Sequence, residues 1–143
     1  MSRRLVFLAL AAASCGSGTA PAEVTPGSDA CAHCRMVIVS LATAAQIVNS
    51  GDEPLRFDEL GCLRDHLVSN PLPPGAVVYV ADHRTREWTD AHQAVFTRTA
   101  VHTPMATGLI AHGSLASRDA DATAARGLPV EAQFILGSRR SGQ

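Results

Sequence analysis

The stretch Cys31-Ala32-His33-Cys34-Arg35-Met36 places two thiols and a thioether within six residues. Soft sulfur donors at this density suit a soft cation, with Cu(I) the first choice. A local disulfide between Cys31 and Cys34 is the plain alternative in an oxidising compartment.

Local context removes several common readings of a two-cysteine motif. Val37-Ile38-Val39 follows, and its β-branched residues favour a strand. Thiol–disulfide catalysts instead place such a pair at the start of a helix, whose positive end lowers the first thiol's pKa. Covalent haem attachment needs histidine directly after the second cysteine, where Arg35 stands. A four-cysteine zinc site needs a second pair, and the only other cysteines are Cys15 and Cys62.

Further ligand types lie downstream. A helix predicted over 58–69, with Asp58 as N-cap, puts Leu60, Leu63 and Leu67 on one stripe. Asp58, Cys62 and His66, spaced four apart, fall on another stripe with the spacing of metal ligands. Their plain alternative is a cysteine packed under a loop and a solvated histidine. Met105, in the loop Thr103-Pro104-Met105, is a thioether outside any helix, and its alternative is core packing.

The elements that must position these groups follow from the N-terminus onward. Arg3 and Arg4, an apolar run Leu5 to Ala12, and small residues before Cys15 read as a secretory signal over 1–14. Cys15 stands where a lipoprotein signal carries its lipidated cysteine, although Ala12 occupies the usual leucine position. An ordinary cleaved signal with a stray cysteine is the alternative. The Gly/Ser/Pro-rich residues 15–30 read as a flexible tether. With Cys15 lipidated, three cysteines remain, an odd number that leaves a thiol free or metal-bound.

The 143-residue chain is close to neutral, and losing the signal's two arginines makes the remainder more acidic. There is no basic run and little aromatic surface, so nucleic acid is excluded as a partner. There is no lysine, which excludes Schiff-base chemistry.

The remaining pattern predicts strands at 43–49, 54–57 and 76–81 around the 58–69 helix, a β-β-α-β order. The polar turn 82–86 marks the midpoint, with His83 a loop residue and Trp88 expected between the halves. Strands at 94–98 and 109–113, a helix over 115–126 ended by Gly127, and a strand at 130–136 repeat the order. The expected fold is α+β, two pseudo-repeated ββαβ units over 31–81 and 82–137, followed by a polar tail 138–143.

Taken together, the signal with Cys15, the Cys31/Cys34/Met36 motif, Phe57-Asp58-Glu59-Leu60-Gly61-Cys62, Glu87-Trp88-Thr89-Asp90-Ala91 and Thr103-Pro104-Met105 resemble the NosL family. These are copper-delivery lipoproteins that mature nitrous oxide reductase. The resemblance runs from about Cys31 to Phe134. It implies two ββαβ units, similar to part of organomercury lyase, and Cu(I) carriage in the periplasm by a lipid-anchored protein. It also implies handover to nitrous oxide reductase through its periplasmic and ABC-type maturation proteins. The motif ligands become Cys31, Cys34 and Met36, and Met105 matches the family's second methionine. The chain departs from the family at Arg35 and Ala106, where glycine is usual, and at Leu63, where methionine is usual.

The expected function is therefore a non-enzymatic copper chaperone, its Cu(I) held by Cys31, Cys34 and Met36 with Met105 or His66 completing the shell. Cys62 and Asp58 are additional candidates. A thiol–disulfide oxidoreductase using Cys31 and Cys34 is the alternative. Organomercury-lyase-like chemistry, suggested by fold analogy alone, would need two thiolates and a carboxylate in one place.

Overall fold

The computed structural model describes residues 19–137. The expected signal peptide, the lipidation site Cys15 and the polar tail lie outside the described residues.

Two antiparallel sheets share one core. The first has β1 (Ala45–Val48), β2 (Leu55–Phe57), β3 (Val77–Ala81) and β4 (Trp88–Asp90), ordered β2-β1-β3-β4. The second has β5 (Val95–Arg98), β6 (Leu109–His112) and β7 (Leu128–Val130), ordered β6-β5-β7. In each sheet the first strand of its unit is central, flanked by the second and third. This shared order, with α1 (Leu60–Ser69) and α2 (Leu115–Asp119) each between the second and third strands, gives two ββαβ-like units in an α+β fold. β4 is an added edge strand on the first sheet.

The apolar residues dictate how the units meet. Every residue of β1 and of β6 is buried. Ile47, Val78 and Val80 from one sheet, Phe96 and Leu109 from the other, and Leu60 and Leu63 from α1 form a single cluster. Burial of one such aliphatic side chain is worth roughly 1.5–3 kcal/mol, so the shared core fixes the two sheets firmly against each other. A parallel bridge between Asp82 and Ala111 stitches the sheets at their junction, with the His83 N–H donating to the Ala111 carbonyl at 2.8 Å.

Several expectations are corrected. The final strand predicted at 130–136 is β7 followed by a short helix α3 (Ala132–Leu136). Its alternation fits a helix equally well, because Ala132, Ile135 and Leu136 all turn to the core at i, i+3 and i+4. Pro129 in β7 sits on a sheet edge, where a missing N–H costs no ladder bond. The helix predicted over 115–126 stops at Asp119. Beyond it Asp121 accepts the Thr123 N–H at 2.8 Å, a local side-chain turn that competes with helix continuation. Trp88 packs on Val24, Ile38 and Ala44 rather than between the halves.

The flexible tether expected through residue 30 is docked from Thr19 onward. Gln46 is fully buried on β1 and exchanges two hydrogen bonds with Ala22, at 2.8 and 3.1 Å. Tyr79 Oη donates to the Thr19 carbonyl at 2.8 Å, and Val24 is buried. A buried glutamine needs such partners, so the segment supplies what the sheet alone leaves unsatisfied.

Candidate metal centre

The two-cysteine motif lies in a tight turn rather than a strand or helix. Ala30 and Val37 form a single antiparallel bridge, so Val37-Ile38-Val39 contributes one bridge where a strand was expected. The Cys31 N–H donates to the Met36 carbonyl at 2.8 Å, and the Arg35 N–H to the Cys31 carbonyl at 3.0 Å. Arg35 closes the turn at φ 68, a left-handed conformation that glycine adopts most easily. The turn is pinned to β2 by the Ala32 N–H, which donates to the Arg56 carbonyl at 2.7 Å. That bond sets Cys31 facing the residues that follow β2.

Those residues are Asp58 and Glu59, which lead into α1. Helix α1 starts at Leu60 with Glu59 as the N-cap residue, two positions later than the start predicted at Asp58. Glu59 makes no side-chain cap bond. Both carboxylates are turned inward instead. Asp58 is drawn to the thiols, and Glu59 Oε2 accepts the Met105 N–H at 3.0 Å. One turn into the helix, Cys62 points back to the same place.

The result is a group of four ligand atoms from Cys31, Cys34, Asp58 and Cys62, all within 4.8 Å of one another, which could hold a metal ion. The three thiols are free. Cys31 is 0 % and Cys62 2 % exposed, while Cys34 is half-buried and forms the open side. Cys34 Sγ donates to Asp58 Oδ2 at 3.5 Å, and the buried Asp58 Oδ1 has no partner among the described residues. A buried carboxylate oxygen without a partner is costly, by about 1–3 kcal/mol, and fits a site completed by something further.

The two buried thiols of the group are held toward their protonated forms. Burial pushes the Cys31 thiol above its ordinary value, against hydrogen bonds from the backbone N–H groups of Asp58, Cys34 and His33. Burial also pushes the Cys62 thiol far up, reinforced by Asp58 and by Cys31 and Cys34 beside it. A metal must displace these protons to gain thiolate ligands.

Of the other expected ligands, Met36 and Met105 are 47 % and 48 % exposed. The Glu59–Met105 bond ties the Met105 loop to the residue next to Asp58. His66 does not belong to the four-atom group. Its ring packs on Phe57, 5.1 Å between centroids, and borders a separate cavity of about 290 Å3 with Ile47, Leu55 and Leu72. Burial, and then the nearby His33 imidazole, lower its pKa. The i, i+4 spacing brought Asp58 and Cys62 together but carried His66 a further turn away, onto Phe57.

Glu59 and a second group, His83, His112 and Asp121, were not singled out from the sequence. The signal for the latter was His112, an ionisable residue inside the apolar strand Leu109-Ile110-Ala111-His112, which requires a buried partner. No described helix is long and apolar enough to cross a membrane. No family model, characterised protein or solved structure gives a significant match to this chain.

Proposed function

We propose that this chain is a NosL-like copper chaperone: exported, lipid-anchored through Cys15, and carrying Cu(I) for assembly of the nitrous oxide reductase copper centres. The observation that carries this is the convergence of Cys31, Cys34 and Cys62 in one group. Three sulfur donors from two segments form a soft donor set that suits Cu(I), which zinc can also use, and that disfavours a hard cation. Cys62 takes a place in the ligand set that the motif alone would give to Met36.

A carrier must also release its metal. Cys34, on the open side, and the exposed Met36 two residues later offer a partner's sulfur an edge from which to exchange ligands. The Met105 loop, held to Glu59, is a second exposed thioether tied to the same helix start. Arg35 and Ala106, where the NosL family usually carries glycine, both have positive φ, at 68 and 58. The backbone thus has glycine-like conformations where the resemblance calls for glycine.

Thiol–disulfide exchange is less well served. It requires an accessible thiol of lowered pKa. Cys31 is buried with a raised pKa, and the helix start belongs to Cys62.

One observation favours a second reading, protonolysis of an organomercurial: a carboxylate, Asp58, stands within the thiol group. Thiolates would take the Hg(II), a proton held at Cys34 or Asp58 would pass to carbon as the carbon–mercury bond breaks, and the hydrocarbon would leave. Hydrocarbon release from an organomercurial by the intact chain, lost in Asp58→Asn, supports that reading over the chaperone.

Delivery is tested by mixing the Cu(I)-loaded chain with copper-free nitrous oxide reductase and its maturation proteins. Copper appearing in the reductase only with the loaded chain supports the proposal. Transfer equal to that from a small-molecule Cu(I) complex contradicts it.

A further inference from the structure

Three side chains outside the thiol group converge from distant parts of the sequence. His83 lies in the turn after β3, His112 ends β6, and Asp121 follows α2. His83 Nδ1 lies 2.6 Å and His112 Nε2 2.9 Å from the same oxygen, Asp121 Oδ2. The two rings meet edge-on, 6.1 Å between centroids. The other Asp121 oxygen is occupied by the Thr123 N–H, which turns Oδ2 toward the imidazoles. Asp82 braces the backbone on both sides, accepting the N–H groups of Arg84, Thr85 and Gly113.

We propose that His83, His112 and Asp121 form a second metal site, for a borderline divalent cation such as Zn(II), distinct from the thiol group. Two imidazoles and a carboxylate are a nitrogen/oxygen donor set that zinc accepts and Cu(I) does not favour. The three ligand atoms lie within 4.8 Å of one another, and three protein ligands leave a fourth position for water. Tetrahedral ligands at zinc bond lengths stand about 3.3 Å apart, so the contacts of 2.6 and 2.9 Å need open by only a fraction of an ångström. The side chain of His112 is fully buried and that of Asp121 nearly so, while His83 retains 14 % exposure and gives an ion its entrance.

A purely structural clamp would also satisfy Oδ2, with two N–H donors on two lone pairs. It explains poorly why two imidazoles are used, one of them buried with its second nitrogen, Nδ1, unpartnered. The same atom limits the site. On loading, each ring's proton moves to its other nitrogen, and in His112 that nitrogen finds no acceptor among the described residues. The affinity is therefore lower than in zinc centres whose second ring nitrogen is hydrogen-bonded.

The test is a Zn(II) titration of the 15N-labelled full chain, read at the imidazole nitrogens by NMR. His83 Nδ1 and His112 Nε2 are expected to shift together while the exposed His92 and His102 do not. His83→Gln keeps a donor toward Asp121, and is expected to weaken the zinc response at His112 by about tenfold or more. Zinc uptake with unshifted His83 and His112 resonances overturns the proposal, since the thiols would then hold the metal. So does an undiminished response in His83→Gln. Because only imidazoles are read, failure of copper binding at the thiols leaves this test unaffected.

Discussion

Cys34 Sγ lies 3.5 Å from Asp58 Oδ2, and this contact joins the motif turn to the residues that open α1. Burial raises both Cys31 and Cys62, and the Asp58 carboxylate is the next largest cause of the rise at Cys62. A metal therefore competes with protons that Asp58 helps to hold, which favours release over retention. Asp58→Asn is expected to tighten Cu(I) binding at neutral pH, by about tenfold for each pKa unit by which the Cys62 thiol falls. Competition against a chromophoric Cu(I) chelator measures it, and weaker binding would show that Asp58 serves as a ligand instead.

Cys62 and His66 occupy the same stripe of α1 but different surroundings. Cys62→Ser is expected to weaken Cu(I) binding by at least about tenfold, as removal of a sulfur donor should. His66→Ala is expected to leave Cu(I) affinity unchanged and to cost about 1 kcal/mol through loss of its packing on Phe57. Denaturant unfolding and chelator competition on both variants separate the two effects.

Arg35 and Ala106 hold left-handed backbone conformations that a Cβ disfavours by about 1–2 kcal/mol. Glycine relieves that strain but adds freedom to the unfolded chain, offsetting roughly 0.5–1 kcal/mol. Arg35→Gly and Ala106→Gly are each expected to be neutral or stabilising by up to about 1.5 kcal/mol. A fall in melting temperature in either variant would contradict this.

Asp82 carries a pKa of about 2: burial raises it, but the N–H groups of Gly113, Thr85 and Arg84, with Ser117, outweigh that and lower it from 3.8. A carboxyl depressed in the folded state stabilises above its unfolded pKa and loses that contribution as pH falls through the folded value. The loss should therefore fall between about pH 4 and pH 2 and amount to about 2 kcal/mol. Asp82→Asn should be less stable at neutral pH and show a shallower acid transition in this window. Asp121, held low by His112 and His83 against its burial, acts in the same direction.

The ββαβ order was legible because β1, β3 and α1 carry strong apolar patterns bounded by Gly51 and Asn70-Pro71. The end of the chain was not, since Val130 to Leu136 satisfies both a strand and a helix period until packing decides. For the site, Cys31 and Cys34 were plain from their spacing. Asp58 and Cys62 were visible from helical geometry, which also pointed to His66, whose ring packs on Phe57 outside the four-atom group, because spacing along a helix cannot say which neighbour fills the space. The convergence of His83, His112 and Asp121 depends on how the sheets meet at Asp82 and Ala111, a contact no local pattern encodes.

The central claim is tested most directly by titrating Cu(I), anaerobically, into the reduced chain beginning at Gly16 against a chromophoric chelator. One copper per chain, held tightly and lost when Cys31, Cys34 or Cys62 is replaced by serine, is the predicted result. Failure to compete with the chelator, or binding unchanged in the Cys31→Ser/Cys34→Ser double variant, would contradict it.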